Sequence, residues 1–179
     1  MRTMTALACI LLPVAAGWTQ DSDRDRNARD FAVAGKIGFN MTLEGFKKEY
    51  PLAARGKSTD EKIGYYHFVV NSVPNTDGVI VWFFDGKLLE VAPVYTEDRI
   101  RNLGGAEAFV KALKNKFGNN DGFRDDKVKD EVTVIWRMPN VNRVVILRSA
   151  RNVVTLHVGD SALQKRLDDR RAKEADLGF

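Results

Sequence analysis

The chain has 179 residues, 44% of them hydrophobic and 29% charged, with 28 Lys and Arg against 24 Asp and Glu. That length suits one domain or two small fused ones, and that apolar fraction excludes wholesale disorder. The formal net charge of +4 is too small to imply nucleic acid as a partner.

The N-terminal residues read as an export signal. Arg2 gives a positive start, and residues 6–16 (ALACILLPVAA) form an apolar run too short to span a bilayer. Small residues at 14–17 offer a cleavage site, so residues 1–17 are expected to be a signal peptide and the protein to be exported, periplasmic or extracellular. Cys9, the single cysteine, lies inside that run, whereas a lipidated cysteine would follow it. The processed chain is therefore expected to have no disulfide, thiol nucleophile or cysteine-ligated metal. No second apolar run is long enough for a transmembrane segment. Residues 18–30, including DSDRDRNARD, alternate in charge without an apolar period and read as a polar leader.

Residues 37–51 predict a short helix. Thr42 is its N-cap, Met41 and Phe46 occupy the hydrophobic-staple positions, and Pro51 disfavours helical geometry at Tyr50. A polar connection over 51–64 leads to a strand over 65–70. The stretch 79–95, VIVWFFDGKLLEVAPVY, predicts a hairpin, because Asp85-Gly86 supplies the positive φ angles of a type I′ turn. Pro93 cannot donate to a ladder, which predicts an edge or a bulge there.

Gly104-Gly105 precedes a second predicted helix over 106–117, with Gly118 as its left-handed cap. A charged loop is expected over 119–131, then strands over 132–138, 143–149 and 153–158. Ser161 to Gln164 has capping-box spacing for a last helix. Leu163 and Leu167 would dock that helix, and its charged end beyond Asp168 is expected to fray.

The predicted order is thus helix, three strands, helix, three strands. FKKEYP from Phe46 matches LKNKFG from Leu113 at an offset of 67, and HFVVN from His67 matches VTVIW from Val132 at an offset of 65. These matches suggest an internal duplication. The expected fold is α+β: two αβββ copies, residues 31–103 and 104–160, on antiparallel sheet, with a C-terminal charged helix over 161–179.

Gly38, Met41-Thr42, Phe46, Tyr50-Pro51 and, in the second copy, Lys116-Phe117-Gly118 carry a resemblance. A helix entered this way before a β-meander resembles the small lipoprotein of the outer-membrane barrel-assembly machine. Its two-copy form resembles the β-lactamase-inhibitor-protein fold, a tandem αβ repeat with a curved antiparallel sheet. Residues 136–160 also resemble the C-terminal halves of small exported bacterial proteins of unassigned role. The chain departs from these patterns: Gly38 and Met41 are two residues further apart, Asn119 stands where proline is usual, and the lipid-bearing cysteine and the inhibitor's disulfides are missing. No functional residue carries over one for one.

No catalytic, cofactor-binding or metal-binding residue is assigned. His67 and His157, the two histidines, fall singly on strands without the spacing of a zinc site. Ser161 follows His157 closely but reads as a helix cap, outside any nucleophile elbow. Both faces of the strand over 79–84 are apolar, and only one is expected to meet the protein's own helices. The other face is expected either to be covered by the 51–64 connection or the second copy, or, with Trp82 as anchor and Arg137, Arg143 and Arg148 nearby, to be the contact surface for another protein. The expected role is a non-catalytic interaction or inhibitor-like module of the cell envelope. The alternative is a protein that holds a small apolar ligand between sheet and helices.

Overall fold

The computed structural model describes residues 35–71, 73–102, 104–126, 131–150 and 153–176. The expected signal peptide and leader lie outside them. The chain forms one eight-stranded antiparallel sheet: β1 (Ala54–Arg55), β2 (Tyr65–Val70), β3 (Gly78–Phe84), β4 (Lys87–Thr96), β5 (Gly122–Asp126), β6 (Glu131–Met138), β7 (Arg143–Ala150) and β8 (Val153–Asp160). Their order is β1-β2-β3-β4-β8-β7-β6-β5. Two meanders therefore meet through their last strands. Helices α1 (Leu43–Glu49), α2 (Glu97–Asn102), α3 (Gly105–Phe117) and α4 (Ser161–Asp176) pack on this sheet, and a one-turn 3-10 helix spans Pro139–Val141.

Local chemistry explains the elements that the sequence predicts. The Thr42 hydroxyl accepts from the Gly45 amide at 3.1 Å and caps α1. Asp85 and Gly86 turn the hairpin with φ of 50° and 72°. Gly118 ends α3 at φ 73°, and its carbonyl accepts the Trp136 indole N–H at 3.0 Å. This bond ties the helix end to β6.

Period two sorts each strand between two faces. The inner face packs on α1, α2 and α3 through one large cluster that includes Phe46, Phe68, Val81, Phe83, Val91, Ile100, Leu113, Phe117, Trp136 and Val158. Phe46 is fully buried, with its ring 5.1–5.3 Å from those of Tyr50, Phe68 and Phe83. The outer face carries a smaller cluster in which Leu163 and Leu167 of α4 cover Ile63, Tyr65, Phe84 and Leu89. Helices thus lie on both faces, whereas the sequence pattern suggested one.

Several expectations need correcting. Each half has four strands, because β1 and β5 form inside the segments expected to be loops. Their short, polar sequences hide strands that exist only by pairing with β2 and β6. Strand β4 is not an edge. It pairs with β3 and β8, and the β4–β8 register skips from Val91 to Val94, so Pro93 falls where no donor is needed on that side. The N-cap of α4 is Asp160, whose Oδ1 accepts from the Leu163 amide at 2.9 Å; Ser161 is one residue inside the helix. Helix α4 continues to Asp176; Arg166 and, beyond the apolar stripe, Arg170 meet Asp85 at 2.5 and 3.5 Å. The Arg171 guanidinium also sits 4.8 Å from the Tyr65 ring centre.

Replacing Phe46 with Ala should cost about 3–5 kcal/mol in urea unfolding, as expected for deleting a buried aromatic ring. Ending the chain after Asp168 removes the contacts of Arg170 and Arg171 but keeps Leu163 and Leu167. This should lower the thermal midpoint by about 2–4 °C, the shift for roughly 1 kcal/mol in a chain of this length.

Candidate functional site

Trp82 lies half-buried on the outer face of β3. Its indole stacks on the His67 ring at 5.2 Å and 7° between planes, and on the His157 ring at 6.2 Å and 25°. Histidines 90 residues apart in the chain thus hold one tryptophan between them. Each is held in turn. Ser58 Oγ hydrogen-bonds His67 Nδ1 at 2.7 Å, and Thr59 Oγ1 accepts from the His67 amide at 3.0 Å. Gly56 lies so close that a Cβ there would stand 2.0 Å from His67 Nδ1, so only glycine fits against the ring. His157 Nδ1 bonds Glu90 Oε1 at 2.5 Å and Nε2 bonds Thr155 Oγ1 at 3.1 Å.

A β-bulge brings Glu90 to this site. The β3–β4 register shifts between Trp82 and Phe83, leaving Leu89 as an extra residue. Leu89 and Glu90 then both serve the outer face, one packing under α4 and the other binding His157.

Glu90, His157 and Thr155 stand in carboxylate–imidazole–hydroxyl order, as in a nucleophile relay. Such chemistry also needs free donors for a developing oxyanion. Strand β8 pairs with β7 along its length and with β4 except opposite Ala92 and Pro93. The Glu90 and Thr155 bonds fix the His157 ring where it stacks on Trp82.

The predicted contact residues separate. Arg137 and Arg148 are exposed on β6 and β7 at outer-face positions, Arg137 opposite Val144 and Arg148 opposite Thr133. Arg143 points the other way. Its side chain is only 12% exposed, bonded to Asp160 Oδ2 at 2.7 Å and lying 3.9 Å from the Phe39 ring centre. It is a packing residue and leaves the candidate surface. Ile146 lies on the outer face at the edge of the space behind α4.

Helix α4 covers only the hairpin end of the outer face. Beyond it, Val69, Ile80, Trp82, Val94, Ile135 and Ile146 remain partly exposed. A cavity of about 320 Å³ opens between α4 and the sheet, bounded by Glu90, His157, Gln164 and Lys165. On the inner face a second cavity of about 300 Å³ lies under α3, walled by Ile100, Phe109, Val134, Leu147 and Val154. Among the described residues, no three of His, Cys, Asp and Glu converge as a metal site, and no helix is long and apolar enough to cross a membrane.

No protein-family model, no curated protein and no solved structure matches the chain.

Burial lowers the His67 pKa from its ordinary value of 6.5, and its buried Nε2 has no hydrogen-bond partner. A depressed folded-state value means that the unfolded chain binds the proton first as pH falls. This contribution is full above pH 6.5 and is lost as pH drops through the folded value. Urea melts between pH 7.5 and 5 should show wild type losing more stability than His67→Gln over the same range.

Proposed function

We propose that the protein is an exported, non-catalytic interaction or inhibitor-like module of the cell envelope, and that another protein docks on its outer face around Trp82. The observation that carries this reading is the stacked indole. Trp82 is partly exposed, stands amid partly exposed apolar side chains, and is held on both sides by imidazoles that are themselves hydrogen-bonded. Large aromatic groups that lose little freedom on binding dominate protein interfaces. Arg137 and Arg148 lie on the same face and would set the partner's orientation and encounter rate.

Export is supported by the apolar run over residues 6–16 and the small residues that follow it. Origin by duplication, with the resemblance to tandem αβ folds, is supported by the layout. Each half is a helix followed by a meander, and the two meanders join through β4 and β8. The offset of 65 does not respect the faces, since it sets inward Phe68 against outward Thr133. An offset of 66 aligns Phe68 with Val134, also buried on the inner face.

A second reading, a small apolar ligand held between sheet and helices, is favoured by the cavity under α3.

Immobilised protein should capture one envelope protein in near-equal amount. Trp82→Ala should weaken that capture by at least about 30-fold, about 2 kcal/mol, the threshold of an interface hot spot, while unfolding at a midpoint within a few degrees of wild type. Arg148→Glu should slow association more than dissociation in surface plasmon resonance. Undiminished capture by the folded Trp82→Ala protein would remove the outer face from consideration.

A further inference from the structure

We propose that the cavity under α3 binds an alkyl chain carrying a single negative charge, with the chain among Phe109, Val134, Leu147 and Val154 and the head at Lys114. The proposal rests on the second reading above and adds the chemical class of the ligand. The cavity walls are mainly aliphatic and aromatic, and the polar side chains at its boundary are Lys114, Asn120 and Ser149. That combination, an apolar chamber with a few polar groups, is the usual form of a small-molecule site.

Size limits the ligand. At about 30 Å³ per heavy atom, the share a water takes in the liquid, the cavity of about 300 Å³ holds about ten heavy atoms, as in octanoate. Charge selects the head. Among the described residues, the one cation on the lining is the exposed Lys114, a point charge matched to one negative charge. The negative end of the α3 dipole lies on the same turn and offsets part of this attraction, so the expected preference is modest. Phe123, 65% exposed on edge strand β5, borders the same cavity. An aromatic ring left in water beside an apolar chamber gains contacts when a chain enters it.

Isothermal titration calorimetry on the purified chain with octanoate, 1-octanol and octyltrimethylammonium tests this directly. Octanoate should bind at one site about threefold more tightly than octanol, with the ammonium compound weakest. Lys114→Gln should abolish the preference and leave octanol binding unchanged. Lys111→Gln, which alters net charge equally one turn away, should preserve it. Ser149→Phe or, should that variant not fold, Val110→Trp should fill the chamber and abolish binding of all three. Equal affinity for the three ligands, or a preference that survives Lys114→Gln, overturns the anionic head but leaves the apolar-ligand reading standing. Failure of all three to bind, or octanoate binding that persists in the filled variants, overturns both.

Discussion

The pairing of β4 with β8 is the constraint on which the rest depends. Each meander alone would be a four-stranded sheet whose last strand is a long, apolar, unpaired edge. Joining them, with Val91 opposite Val158 and Tyr95 opposite Val154, removes both edges and makes one continuous inner face for α1, α2 and α3. The contact is non-local, so chain closure costs entropy before it is repaid. The inner surface repays it: Val91, Val158 and Trp136 are fully buried in the same cluster as Phe46. The seam tolerates Pro93 because its ladder is interrupted there. It also places Glu90 beside β8, within reach of His157. Fold and candidate site therefore share one feature, the bulge at Leu89, which turns two successive residues of β4 toward the outer face.

Local features were legible in the sequence where a few adjacent residues determine them. The Thr42 cap, the Asp85-Gly86 turn and the Gly118 helix end each depend on backbone angles or hydrogen bonds within one turn of chain. Strands β1 and β5 were not legible, since Ala54-Arg55 and Gly122–Asp126 have neither alternation nor β-branched content and gain their ladders from partners. The docking of α4 beyond Leu167 was missed for a related reason. An apolar stripe predicts packing, whereas Arg170, beyond Leu167, meets Asp85 only because the hairpin and helix converge in space.

The site was half legible. Apolar residues on both faces of β3 marked Trp82 as belonging to a second surface. The two histidines gave no sign of meeting it, since only the strand order brings them to either side. Arg143 could have been set apart from Arg148 by arithmetic alone. Five residues separate them on one strand, and an odd spacing puts side chains on opposite faces.

The edges of the sheet bear on how a partner could approach. Strand β1 has two residues, and β5 carries Arg124, Asp125 and Asp126, with Arg124 and Asp126 paired at 3.2 Å. A short strand and a charged one are poor templates for adding a further strand, so β-augmentation is disfavoured at both ends. Binding through the sheet must then be face-on, and the inner face is already occupied by helices. The outer face away from α4 is left, and there the apolar residues are interrupted by His67, Thr155, Arg148 and Arg137. Such interruption limits non-specific association while leaving the central indole available. A surface of this composition suits a partner that brings an apolar contact to Trp82 and polar groups to its surroundings.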